Sequence, residues 1–141
     1  MKLHQSRDGY LWMATFDGLV RFDGLNFKIY QTVDYLGLPT NRFVKLYEGP
    51  DGSLWIVSEQ KSWIRFKNNR FTHIQDSDGL NGNLVYDVHL DDNGYLWFGT
   101  DQGVSFFDGE ELKPYHPSVI EGVIDRVFIE KTGRNVGFHK E

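Results

Sequence analysis

The chain has 141 residues, a net charge of −5, 16% aromatic residues, 15 glycines and no cysteine. Disulfides and thiolate chemistry are therefore excluded, and acids and bases are interspersed without a basic stripe that phosphate could follow, so no nucleic acid partner is expected. The start, MKLHQSRDG, lacks an apolar core of the kind a signal peptide needs, and no stretch approaches ~18 continuous apolar residues, so no membrane span is expected in this segment.

Taken in chain order, the sequence repeats itself. The first unit, 1–32, carries DGYLWMAT at 8–15 and LVRFDGLNF at 19–27. The second, 37–75, opens on GLPTNRFVKL at 37–46 and continues with DGSLWIVS at 51–58 and WIRFKNNRF at 63–71. The third, 79–116, repeats the order with GLNGNLVYDV at 79–88, NGYLWFGT at 93–100 and VSFFDGEEL at 104–112. A partial fourth unit fills 119–141, with Ile124, Val127, Glu130 and Gly133 in register and Val136 at the Trp position. Trp12, Trp55 and Trp97 recur at intervals of 43 and 42 residues.

Each unit predicts four short strands. In the third these are 84–90, 95–100, 103–107 and 111–115, joined by Asp-Asn-Gly, Asp-Gln-Gly and Asp-Gly-Glu. Gly and Asn tolerate the positive φ of tight hairpins. No long segment has a 3.6-residue period, so the class is all-β. The second strand, LWIV or LWFG, does not alternate apolar with polar, which implies cover on both faces. Four-stranded sheets repeating at ~42 residues, each covered by its neighbours, describe the blades of a β-propeller. The chain is read as a propeller segment of about three and a half blades, with Trp12, Trp55 and Trp97 in the blade core.

The motif resembles the two-component regulator propeller repeat: Gly-Leu-x-x-Asn, an apolar strand ending in Asp, Gly-x-Leu-Trp-Ile-Gly-Thr, then Gly-Leu-x-Arg-Phe/Tyr. The third unit carries Gly79, Leu80, Asn83, Val85, Val88, Asp91, Gly94, Leu96, Trp97, Gly99, Thr100 and Gly103. The second keeps Gly37, Leu38, Asn41, Gly52, Leu54, Trp55, Arg65 and Phe66, but has Val57 and Ser58 for the Gly-Thr pair. The first keeps Gly9, Leu11, Trp12, Thr15, Gly18, Leu19, Arg21 and Phe22. The resemblance implies the periplasmic or extracytoplasmic sensor region of a membrane-anchored bacterial receptor, non-enzymatic itself. It would bind an extracellular small molecule or carbohydrate, with a kinase or cyclase output outside this segment. A propeller enzyme, lyase or glycoside hydrolase, and a pure interaction scaffold are the alternatives.

A propeller closes with typically four to eight blades. Three and a half blades would leave apolar faces open. Two arrangements would cover them: a longer propeller containing this segment, or self-association of copies into one ring.

Candidate site residues are sparse. His4, Tyr47 and His89 fall at one equivalent strand position, with Phe128 next in the series; a half-buried structural position is the simpler reading. Asn41 and Asn83 enter the innermost strand, where side-chain hydrogen bonds would cap the connection between blades. With Arg42, His89 and Arg126 they form the expected ligand-binding set at the channel mouth. Arg21 and Arg65 share a position on the third strand and are expected to pair with a turn acid. Asp91-Asp92 and Asp76-Ser77-Asp78 read as solvated turn residues rather than a carboxylate pair spaced for glycoside hydrolysis. No catalytic residue, metal ligand set or cofactor is assigned.

Overall fold

The computed structural model describes residues 2–74, 83–115, 123–129 and 136–140. Strands β1 (Lys2–Gln5), β2 (Leu11–Thr15), β3 (Gly18–Phe22) and β4 (Phe27–Tyr30) form one sheet in chain order. A second follows with β5 (Phe43–Glu48), β6 (Leu54–Ser58), β7 (Trp63–Lys67) and β8 (Arg70–His73). The third holds β9 (Val85–Leu90), β10 (Leu96–Thr100), β11 (Gly103–Phe107) and β12 (Leu112–Tyr115), and β13 (Ile124–Ile129) pairs with β14 (Val136–Lys140). Every pairing is antiparallel. The described residues contain no helix. This is an all-β propeller segment, and the third unit's strands fall within one residue of their expected bounds. The Asp76–Asp78 pair, Gly79, Leu80, Glu130 and Gly133, and the side chains of Phe128 and Val136, lie outside the described residues.

The hairpins follow from turn chemistry. Asn68 and Asn69, at φ 53° and 59°, make a two-residue turn between β7 and β8 whose twist matches the strands. Gly18 sits at φ 119°, and a Cβ there would lie 2.4 Å from the Tyr30 carbonyl oxygen, so only glycine fits where β3 leaves its turn.

The chain forms two compact units, Met1–Glu48 with Gly52–Ile74, and Gly49–Asp51 with Gln75–Glu141. In the first, one face of sheet β1–β4 lies on sheet β5–β8. Trp12 stacks on Tyr30 at 5.9 Å and meets Phe66 edge-on at 5.6 Å, while Tyr30 contacts both Phe66 and Phe71. Leu46, Leu54, Ile56 and Ile64 complete that core. In the second unit, Val104, Ile124 and Val127 form a core on which Trp97 packs.

Burial of the second strand differs from unit to unit. All five residues of β6 are buried, as its apolar run implies. In β2 burial alternates, because only the Trp12 and Ala14 side of its sheet is covered. Sequence pattern records what a strand is built to bury, and in β2 that exceeds what it buries here.

Candidate functional site

Register sets a side-chain row across each sheet. In the first, His4 opposes Trp12, which opposes Arg21, which opposes Lys28. The second row is Tyr47, Trp55, Arg65 and Thr72, and the third His89, Trp97, Phe106 and Lys113. His4, Tyr47 and His89 thus occupy one structural position, half-buried beside the indole of their own sheet.

The indole N–H groups of Trp12, Trp55 and Trp97 are each held by their own sheet's first hairpin. Trp12 Nε1 donates to Ser6 Oγ at 3.2 Å, Trp55 Nε1 to Ser53 Oγ at 3.1 Å, and Trp97 Nε1 to Asp91 Oδ2 at 2.8 Å. Trp12 and Trp55 are buried and Trp97 is half-buried. Asp91 is therefore more than a solvated turn residue. Its Oδ1 also accepts the Asn93 and Tyr95 N–H groups at 2.8 and 2.9 Å, closing the turn.

Among the described residues Arg21 makes no direct ion pair with a turn acid, although, after the Asn26 and Leu25 N–H groups, its charge helps to lower the Asp23 carboxyl of the adjoining turn. The row sets it beside aromatic rings, and its guanidinium lies 4.6 Å from the Tyr10 centroid and 5.9 Å from that of Trp12. Arg65 repeats the arrangement 5.7 Å from the Trp55 centroid. A guanidinium over an indole gains from the ring quadrupole while its stem covers apolar surface.

A polar cluster joins the first strands of the two sheets in the first unit. Glu48 Oε1 lies 3.0 Å from His4 Nε2, Oε2 accepts Arg7 Nε at 3.2 Å, and the Arg7 backbone N–H reaches both oxygens at 3.2 Å. Burial pushes the Glu48 carboxyl up, but the hydrogen bonds from His4 and Arg7 outweigh it and hold the group below its ordinary 4.5. In the second unit Asp87 Oδ2 ties the strands instead, accepting the Val127 N–H at 2.7 Å.

The Gly-Thr pair also acquires a physical role. A Cβ on Gly99 would lie 2.7 Å from the Ile124 carbonyl oxygen and 3.2 Å from Val127 Cγ2, so glycine lets β13 approach β10. Thr100 Oγ1 donates to the Gly103 carbonyl at 2.8 Å and accepts the Gln102 N–H, and Thr15 does the same with Gly18 and Asp17. At the second unit's equivalent, Ser58 Oγ accepts the Ser62 N–H at 3.0 Å.

The expected ligand set divides. Asn41 Oδ1 accepts the Thr32 N–H at 2.8 Å, and its carbonyl accepts the Gly18 N–H. At the third unit's equivalent entry, Asp101 Oδ1 accepts the Asn83 N–H at 3.0 Å and the Leu84 N–H at 3.2 Å. Exposed Arg42 forks onto Glu59, and its guanidinium lies 4.1 Å from the Phe16 ring centroid. The hydrogen bond to Glu59 raises the Arg42 pKa and lowers that of Glu59. Asn41, Arg42, Phe16 and Glu59 thus share one edge of the first unit. His89 lies within the third row, and Arg126 is exposed on β13. Among the described residues no three His, Asp or Glu side chains could hold one metal ion.

Sequence reasoning missed Phe16. Its signal is positional: it follows Thr15 as Glu59 follows Ser58 and Asp101 follows Thr100, an aromatic ring at a turn position that otherwise carries an acid.

Residues 37–60 and 79–102 match the family described as Two component regulator propeller. Among solved structures, the extracellular domain of a hybrid two-component system from B. thetaiotaomicron aligns with TM-score 0.68 and 15% identity, over 92% of this chain and 19% of that one. The extracellular domain of a one-component system from the same organism aligns with TM-score 0.65 and 24% identity, over 96% and 22%. Virginiamycin B lyase from Staphylococcus aureus aligns with TM-score 0.60 and 16% identity, over 98% and 47%. The chain thus spans about a fifth of the two extracellular domains and about half of the lyase. No curated protein matches it.

Proposed function

Starting from a chain whose segments 37–60 and 79–102 are two-component regulator propeller repeats, we propose that it is a non-enzymatic, ligand-sensing part of the extracytoplasmic region of a membrane-anchored bacterial signalling receptor. The repeat matches carry this reading, because they are the feature tied to signalling proteins rather than to propellers at large. They also contain Asn41, Arg42, Asn83 and His89. The fold likeness to extracellular domains of one- and two-component systems is consistent with it.

The ligand is a small polar molecule or carbohydrate, bound on the edge that carries Asn41 and Arg42. Phe16 offers a half-exposed ring, Arg42 covers part of it, and Glu59 adds an acceptor. A flat apolar surface bordered by charge-assisted hydrogen-bonding groups is what a sugar ring requires. The test is calorimetric titration of the chain with a panel of neutral and acidic oligosaccharides. Binding weakened by Phe16→Ala and Arg42→Ala, without a change in melting temperature, supports the assignment. Binding indifferent to both removes it.

A lyase activity is the second reading, favoured by the fold likeness to virginiamycin B lyase. Product release from the same oligosaccharides, abolished by His89→Ala, would establish it in place of sensing.

A further inference from the structure

Register sets two cations side by side in the first sheet. Arg21 on β3 lies directly opposite Lys28 on β4, a placement that is unfavourable for like charges. Both sit against one aromatic stack. The Arg21 guanidinium is 5.9 Å from the Trp12 centroid, the Lys28 ammonium is 5.1 Å from the Tyr30 centroid, and those two rings stack at 5.9 Å. Half-buried Tyr10 borders the guanidinium at 4.6 Å. Both charges reach the Tyr30 hydroxyl, where they oppose the burial that raises its pKa.

Among the described residues neither cation has an ion-pair partner. Glu48 is engaged by His4, at the head of the same row, and by Arg7. Asp23 Oδ1 accepts the Leu25 and Asn26 N–H groups of its own turn at 2.9 and 2.7 Å. The other two four-stranded sheets avoid the conflict. In the second, Thr72 stands opposite Arg65. In the third, Phe106 stands opposite Lys113, whose ammonium lies 3.3 Å from Asp108 and 3.5 Å from Glu111. In the first sheet Asn26 occupies the position of Glu111, two residues before the lysine. A ring quadrupole attracts a cation but does not cancel its charge. This row of the first sheet therefore keeps two uncancelled positive charges where each sister sheet has a single cation.

We infer that Arg21 and Lys28 form a binding site for a tetrahedral oxyanion, a sulfate or phosphate group, seated beside the Trp12–Tyr30 stack. A guanidinium fork engages two oxygens and an ammonium a third. Sulfate and phosphate groups supply three, whereas a carboxylate supplies two. An anion held between the two cations replaces their repulsion with two attractions. The site shares no residue with the edge that carries Asn41 and Arg42, so the inference does not depend on what that edge binds.

The test is an NMR titration of the isotope-labelled chain with inorganic phosphate and with sulfate, at a constant ionic strength of about 0.15 M. The Arg21 Nε–H and Lys28 amide resonances shift saturably. Lys28→Thr, which copies the second sheet, weakens binding about tenfold or more. Asn26→Glu copies the acid of the third sheet while keeping both cations, and weakens binding to the same extent. It keeps the inference open to refutation should Lys28→Thr fail to fold. Arg70→Thr, at an exposed cation of the second sheet, leaves binding unchanged. A sulfated disaccharide that binds more tightly than inorganic sulfate, with its unsulfated counterpart silent, assigns the group to a glycan; equal affinity assigns the free ion, and both uphold the site. No saturable shift with either inorganic anion overturns the inference. Binding that survives both first-sheet changes, or falls equally with Arg70→Thr, overturns it too.

Discussion

Gly99→Ala adds one methyl group where two strands meet. The new carbon would stand 2.7 Å from the Ile124 carbonyl oxygen, 3.0 Å from Ile124 Cγ2 and 3.2 Å from Val127 Cγ2. The first atom belongs to the backbone, so no rotamer change relieves it; β13 itself must retreat. A retreat of about half an ångström forfeits roughly a quarter of each dispersion well along the contact. Overpacking of this kind costs about 1–3 kcal/mol. At about 2–4 °C per kcal/mol for a chain near this size, the melting temperature falls by roughly 2–12 °C. The retreat also lengthens the Val127 N–H bond to Asp87, 2.7 Å in the native chain. Thermal melts followed by circular dichroism give the first number, and amide hydrogen exchange gives the second. The Val127 amide loses protection while the Leu46 amide, in the other compact unit, keeps it. A variant as stable as wild type, with Val127 still protected, would refute the idea that glycine is required for strand approach.

Other outcomes follow from the hydrogen bonds. Asp91→Ala removes the acceptor of the Trp97 indole and of two turn amides, and lowers stability by about 1–3 kcal/mol in urea titrations. Ser6→Ala, which removes the Trp12 acceptor and the hydroxyl that donates to Asp8 and to the Tyr10 carbonyl, costs about 1–2 kcal/mol by the same measurement. Glu48→Gln destabilises the chain by about 1–3 kcal/mol at neutral pH, read from the same titrations. Because the folded Glu48 carboxyl lies below its ordinary 4.5, its stabilisation is complete above that pH and is lost as pH falls through the folded value. The gap between wild type and Glu48→Gln therefore narrows in melts below about pH 4.5. Trp55→Ala, at a buried indole, costs about 3–5 kcal/mol by denaturant titration.

The repeat made the sheets legible. Trp12, Trp55 and Trp97 fall in one register because a strand alternates faces every residue, and a common offset fixes which side chains oppose them. The position shared by His4, Tyr47 and His89 followed from the same arithmetic. The partners of those side chains did not. Ser6, Ser53 and Asp91 all hold an indole N–H; Ser6 and Asp91 stand six residues before their tryptophans but Ser53 only two, and the residue type changes as well, so pattern alone does not announce the role. Asn41 caps its connection with its own side chain, and beside Asn83 a second acceptor is Asp101, a residue 18 positions away. The Glu48 cluster draws on His4 and Arg7 across more than 40 residues, and local pattern carries no trace of such a pairing. Arg21 shows the same limit: its spacing suggested an acid, but the row placed aromatic rings beside it.

The way each tryptophan is anchored bears on how such chains change over time. Because the Trp12, Trp55 and Trp97 donors find their acceptors in the hairpin of their own sheet, a whole unit can be copied or lost without orphaning an indole next door. The flat apolar surfaces must still match, and so must the ties between first strands, Glu48 to His4 and Arg7 and Asp87 to Val127. Gene duplication can then alter the number of units in single steps, whereas a substitution at one anchoring serine or aspartate harms the sheet that contains it.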